Sequence, residues 1–142
     1  MITQLFVATL MVGLTVIFHG IGISWLSRFL RFSMSPESQR DADDHSLPLR
    51  AIFLVVGIVL ALFVLHGIEI WTYAGLYLAL GAVGDLETAV YFSTITYAAI
   101  GYSDSYFDPA WRLVSAIEGI NGLILLGWST AFFVTVIARL RR

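Results

Sequence analysis

The chain has 142 residues, 58% of them hydrophobic and only 13% charged, with a mean hydropathy of +0.85. Soluble domains carry about a quarter charged residues, so this composition excludes an ordinary soluble enzyme or binding domain and places the chain among membrane proteins. Cysteine is absent, which removes disulfides and thiolate chemistry, and the net charge of −2 singles out no class of partner.

In chain order, the first uncharged run is Ile2 to Ser27, broken only by His19. It exceeds the ~20 residues needed to cross a bilayer core and lacks the basic start and small-residue cleavage site of a signal peptide. His19 reads as a packing residue with one polar partner. A connector follows, flanked or occupied by Arg28, Arg31, Arg40 and Arg50. Its "DADDH" stretch, Asp41 to His45, gathers oxygen and imidazole donors as a divalent-ion site would, but no recognised loop surrounds it, and a solvated connector is the plainer reading. The second run, Ala51 to Ile68, predicts another span, with Trp71 and Tyr73 at its interfacial end. His66 and Glu69 are three apart and share a helical face. They make either a proton-sensitive pair or a local hydrogen bond.

Tyr73 to Trp111 is apolar but interrupted by Gly81, Gly84, Asp85, Gly101, Asp104 and Pro109. Asp85, as N-cap, with Glu87 in the first turn predicts a short helix from Leu86 to about Tyr97. Roughly three turns reach about halfway into a bilayer, so the segment is re-entrant, with Gly101 as its expected stop. Backbone of this kind survives at membrane depth only when buried in protein or lining a water-filled cavity. The third span is Gly119 to Ala138, bounded by Glu118 and Arg139. Every basic residue is an arginine. Those of the first connector and of the C-terminus lie on one side by the positive-inside rule, which puts the N-terminus outside and the C-terminus in the cytoplasm. The fold class is an all-α membrane protein: three transmembrane helices plus a re-entrant helix and an extended segment.

The stretch "YFSTITYAAIGYSD" resembles the pore helix and selectivity filter of the tetrameric potassium-channel family, whose filter reads T-V-G-Y-G-D. The layout of residues 49 to 139 is similar to the small bacterial two-span members, with one additional N-terminal span. The resemblance implies two units: residues 1–48, a membrane helix and cytoplasmic loop, and 49–142, the pore domain. It also implies a homotetramer in which backbone carbonyls replace the hydration shell of K⁺. Carried over by position, Ala99, Ile100, Gly101, Tyr102 and Ser103 form the filter strand, and Thr96 and Ala98 end the pore helix. Asp104 and Asp108 read as an acidic outer mouth. Gly122 and Gly127 are either gate hinges or small residues for close helix packing. Glu118 is either a functional buried acid behind the filter or a structural carboxylate bonded to the pore helix or to Arg112.

Two positions depart from the family pattern. Ala99 replaces a threonine whose hydroxyl completes the innermost ion site. Ser103 replaces a glycine with positive φ, where another residue costs roughly 1–2 kcal/mol. The implied function is therefore a potassium-conducting cation channel, with a non-selective monovalent cation channel or a non-conducting accessory subunit as alternatives. Expected partners are copies of itself and the lipids of the plasma (inner) membrane, with no nucleic acid and no cofactor beyond permeant monovalent cations. An enzyme is not expected. "GYSDS" lacks the second glycine of a nucleophile elbow, "AVGD" has no second mid-span aspartate, and three isolated histidines show no metal-ligand spacing.

Overall fold

Inside a bilayer an apolar segment must satisfy its own backbone hydrogen bonds, and the long apolar runs do so as helices. A computed structural model describes residues 1–33 and 47–140. It contains α1 (Ile2–Ser33), α2 (Leu47–Ala79), α3 (Leu86–Tyr97) and α4 (Arg112–Leu140), with a 3₁₀ turn, Pro109–Trp111, leading into α4. Among the described residues there is no β-strand, and residues 100–104 are irregular. Ile2–Arg31, Leu49–Ala79 and Pro109–Leu140 are long and apolar enough to cross a membrane. Their outer surfaces carry Phe53, Phe63 and Trp25, each about three-quarters exposed. Water does not tolerate so much apolar surface. This is a multi-pass membrane protein.

The short helix α3 sits between α2 and α4, while α1 packs along α4 and α2. At one end, Tyr77, Phe92 and Phe107 form an aromatic core. The Phe92 and Phe107 rings stack at 4.3 Å, and Tyr77 meets Phe107 edge-on at 5.0 Å. At the other end Ile23, Leu30, Ile58, Leu62 and Val136 close the bundle. There Arg28, Arg31 and Arg139 line one cavity of about 470 Å³, so basic residues from both ends of the chain meet on one side.

Two boundaries differ from expectation. The second span continues past Ile68 to Ala79 and ends at Gly81, whose φ of 65° completes the turn. There Ala82 N–H donates to Tyr77 O and Gly81 N–H to Leu78 O, the pairing of a Schellman cap. Tyr73 is accordingly not interfacial. It is fully buried and accepts a 3.3 Å hydrogen bond from Asn121 Nδ2. The third span, α4, begins at Arg112 rather than Gly119, which places Glu118 inside it. Asp41 to His45 lie outside the described residues.

Candidate functional site

The site is built around α3, whose start follows local chemistry. Asp85 is extended (φ −150°, ψ 164°) and accepts from the Thr88 N–H at 2.9 Å, while its second oxygen accepts from the Thr88 hydroxyl at 2.7 Å. These bonds hold the Asp85 carboxyl below the usual carboxylate range, and a charged N-cap favours the helix dipole. Twelve residues on, or about 18 Å, the helix stops in mid-bundle.

The stop falls two residues before the expected Gly101, which is itself left-handed (φ 57°) and whose N–H also reaches Ile95 O, at 3.1 Å. Ile100 N–H donates to Ile95 O at 2.8 Å and Ala99 N–H to Thr96 O at 2.9 Å, a Schellman cap with Ala99 in the glycine position. Ala99 has φ +55° and is the one left-handed non-glycine residue among those described. Ser103, where the filter pattern calls for positive φ, does not adopt it. A side chain in this backbone costs about 1 kcal/mol, and Ala99→Gly is expected to remove that strain. Thermal denaturation of the purified protein in detergent should show the gain, while Ala99→Thr should be lower than wild type, since a β-branched residue fits this region worst.

Two buried carboxylates hold α3 from behind. Glu118, fully buried on α4, lies 2.5 Å from Ser93 Oγ and accepts from the Tyr77 hydroxyl. Its expected alternative partner Arg112 instead faces Asp104, at 3.0 Å, with both side chains about half exposed. Such a surface pair contributes roughly 0–1 kcal/mol. Glu69, fully buried on α2, accepts from the Tyr97 hydroxyl at the end of α3. It also meets two histidines, His66 Nδ1 at 3.2 Å and His19 Nδ1 at 2.9 Å. His19 is thus not a packing residue with a single partner, because its Nε2 also lies 3.3 Å from Ser129 Oγ. The histidines are not isolated either: His19, His66 and Glu69 bring donor atoms within 4.8 Å of one another. Only the His66–Glu69 spacing was visible locally. Nothing near His19 in sequence announced its partners.

Close backbone approach fixes the other side of α3. A Cβ on Gly122 would lie 2.1 Å from Tyr97 O, and one on Gly119 would lie 3.2 Å from Thr96 O. A Cβ on Gly127 would meet no packed neighbour within 4 Å. Beyond the helix, Ala99 to Asp104 are all exposed, with Ile100 at 54% and Tyr102 at 75%. Thr96, Ala99, Gly101, Tyr102, Ser115 and Gly119 line an open cleft of about 370 Å³. Ala98 is exposed at the helix end. Asp108 caps the 3₁₀ turn by accepting from Ala110 N–H at 2.8 Å.

The arrangement is a half-helix suspended between two membrane spans, followed by an exposed irregular segment. The sequence pattern that defines the ion channel family matches residues 53–139, well over half of the chain. The chain belongs to the ion channel family. The match begins near the start of α2 and runs to the end of α4, so this channel carries α1 outside the family region. No curated protein and no solved structure matches the chain.

Proposed function

We propose that the chain is one subunit of a homotetrameric cation channel that conducts potassium through carbonyls of Ala99 to Ser103 at a four-fold axis. The observation that carries this reading is α3, a helix of twelve residues that ends between two membrane spans beside an exposed segment. The last carbonyls of a helix bear partial negative charge, which stabilises a cation where α3 stops. Carbonyls of the following segment would then replace its water shell. A single copy encloses nothing, and the open cleft beside Ala99 and Tyr102 leaves room for neighbouring copies. The exposed apolar face of α4, with Ile120, Leu123 and Ile124, would line the cavity below, and its convergence from Gly122 to Ala131 would form the gate. Asp104 and Asp108 would face the outer mouth. Membrane insertion places the arginine-rich end of the bundle in the cytoplasm.

A second reading, a non-selective monovalent cation pore, is favoured by Ala99: it supplies no hydroxyl, and its backbone is left-handed. Both are tested by flux through the purified protein in liposomes with K⁺ inside and Na⁺ outside. The expected reversal potential is near the K⁺ equilibrium value. A potential near zero with clear current identifies the non-selective pore. No current from a well-formed tetramer means an accessory subunit, and a stable monomer in detergent removes the pore altogether.

A further inference from the structure

The cluster joining α1, α2, α3 and α4 brings donor atoms of two imidazoles and a carboxylate to within 4.8 Å of one another. Its members are His19, His66, Glu69, Tyr97 and Ser129. His19 and Glu69 are fully enclosed and the His66 side chain is 13% exposed. Glu69 stands about 15 Å from the end of α2, well inside the membrane-crossing segment. His19 Nδ1 is 2.9 Å from Glu69 Oε1 and His66 Nδ1 is 3.2 Å from Oε2. The Tyr97 hydroxyl touches Glu69 Oε2 and lies 2.9 Å from His66 Nδ1. Both remaining ring nitrogens face one oxygen, Ser129 Oγ, at 3.0 Å from His66 Nε2 and 3.3 Å from His19 Nε2.

Without an ion, opposite tautomers link the cluster: His19 Nδ1–H faces Glu69 Oε1, Ser129 donates to His19 Nε2, and His66 Nε2–H donates to Ser129. A divalent cation would use the same atoms differently. It would bind the two Nδ1 lone pairs, Glu69 and the phenol oxygen, and each ring would donate Nε2–H to one of the two lone pairs of Ser129. Imidazole ligands whose other N–H is held by an oxygen are the usual outer shell of protein metal sites.

We propose that His19, His66 and Glu69, with Tyr97 as fourth donor and Ser129 orienting both rings, form a binding site for a divalent transition-metal ion of the zinc type. Two histidines and a carboxylate are a zinc ligand set, and tetrahedral donors about 2.0–2.1 Å from the ion stand roughly 3.3 Å apart. The histidines stand 2.9 and 3.2 Å from the two Glu69 oxygens, and the three donors lie within 4.8 Å of one another, so modest side-chain shifts would bring them around one ion. The ion would clamp α1, which lies outside the channel-family region, to α2 and to the end of α3.

The test uses the full chain in detergent, stripped with a chelator and titrated with Zn²⁺ and Co²⁺, reading metal content per chain and the Co²⁺ visible spectrum. It does not depend on conduction, because non-conducting protein reports equally well. One ion per chain with a four-coordinate Co²⁺ spectrum is expected. His66→Gln and Glu69→Gln should weaken binding at least tenfold. Ser129→Ala, which touches only the outer nitrogens, should weaken it about 10–100-fold in protein whose helical content and assembly match wild type. Uptake that survives all three variants but disappears in His45→Ala assigns the metal to the 41–45 connector and overturns the proposal. Wild-type protein that takes up no metal overturns it as well.

Discussion

Gly122→Ala is expected to abolish current and shift the assembled protein towards monomer, while Gly127→Ala leaves both unchanged. The difference follows from what each new methyl would meet. At Gly122 it would stand 2.1 Å from Tyr97 O, 2.8 Å from the carbonyl carbon and 2.9 Å from the Tyr97 Cα. All three are backbone atoms of α3, so no side chain can swing aside, and α3 and α4 must separate. Overpacking a core costs about 1–3 kcal/mol when side chains can adjust, and here the upper end is the starting point. Separation would also pull Ser93 from Glu118. At Gly127 nothing lies within 4 Å, and alanine in a helix interior is favoured over glycine by roughly 1 kcal/mol. Size-exclusion chromatography and liposome flux on the two variants check this directly. A Gly122→Ala protein with normal assembly but altered gating would mean that this glycine acts as a hinge and that the close contact yields cheaply.

How much of this was legible beforehand differs sharply between elements. The start and length of α3 were readable because they rest on near neighbours: Asp85 caps Thr88, and Glu87 supports the first turn. The sequence points to Gly101 as the stop because glycine is the usual left-handed residue, and Gly101 is left-handed, but the turn begins earlier. The Ile100 N–H instead reaches back to Ile95, forcing the turn onto Ala99. Residue type alone also shortens the second span. Trp71 and Tyr73 suit an interface by residue type, whereas Tyr73 is held inside by Asn121, which is far away in sequence. Polar residues within the spans were the least readable. Thr15 accepts from Asn121 at 2.8 Å, and His19 finds Glu69 and Ser129, through contacts that no local spacing encodes. These bonds bind α1 to the helices of the channel-family region through its polar face, although by composition α1 is merely one more apolar run.

Glu118→Ala is expected to prevent assembly altogether, whereas Glu118→Gln retains it. Ser93 Oγ lies 2.9 Å from Ile70 O and 2.5 Å from Glu118 Oε1, yet a hydroxyl has a single hydrogen to donate. A backbone carbonyl can only accept. All contacts are therefore made when Glu118 donates a proton from Oε1 to Ser93 Oγ, Ser93 donates to Ile70, and Tyr77 donates to Glu118 Oε2. Burying a carboxylic acid with its bonds complete also avoids enclosing a bare charge; Arg112 is not at hand, being paired with Asp104 at the surface. A glutamine reproduces this pattern, its amide N–H₂ replacing the acid hydroxyl towards Ser93 and its oxygen accepting from Tyr77. Alanine removes the hydrogen bond from α4 to Ser93 in the middle of α3 and the one to Tyr77. An unpaired buried hydroxyl costs about 1–3 kcal/mol and truncating a buried side chain about 2–5 kcal/mol. The combined loss of roughly 3–5 kcal/mol or more compares with a total stability of about 5–15 kcal/mol for a typical domain. Thermal denaturation and chromatography of the two variants decide the matter. Equal damage from glutamine and alanine would mean that Glu118 acts as a charged carboxylate and that the hydrogen count is wrong.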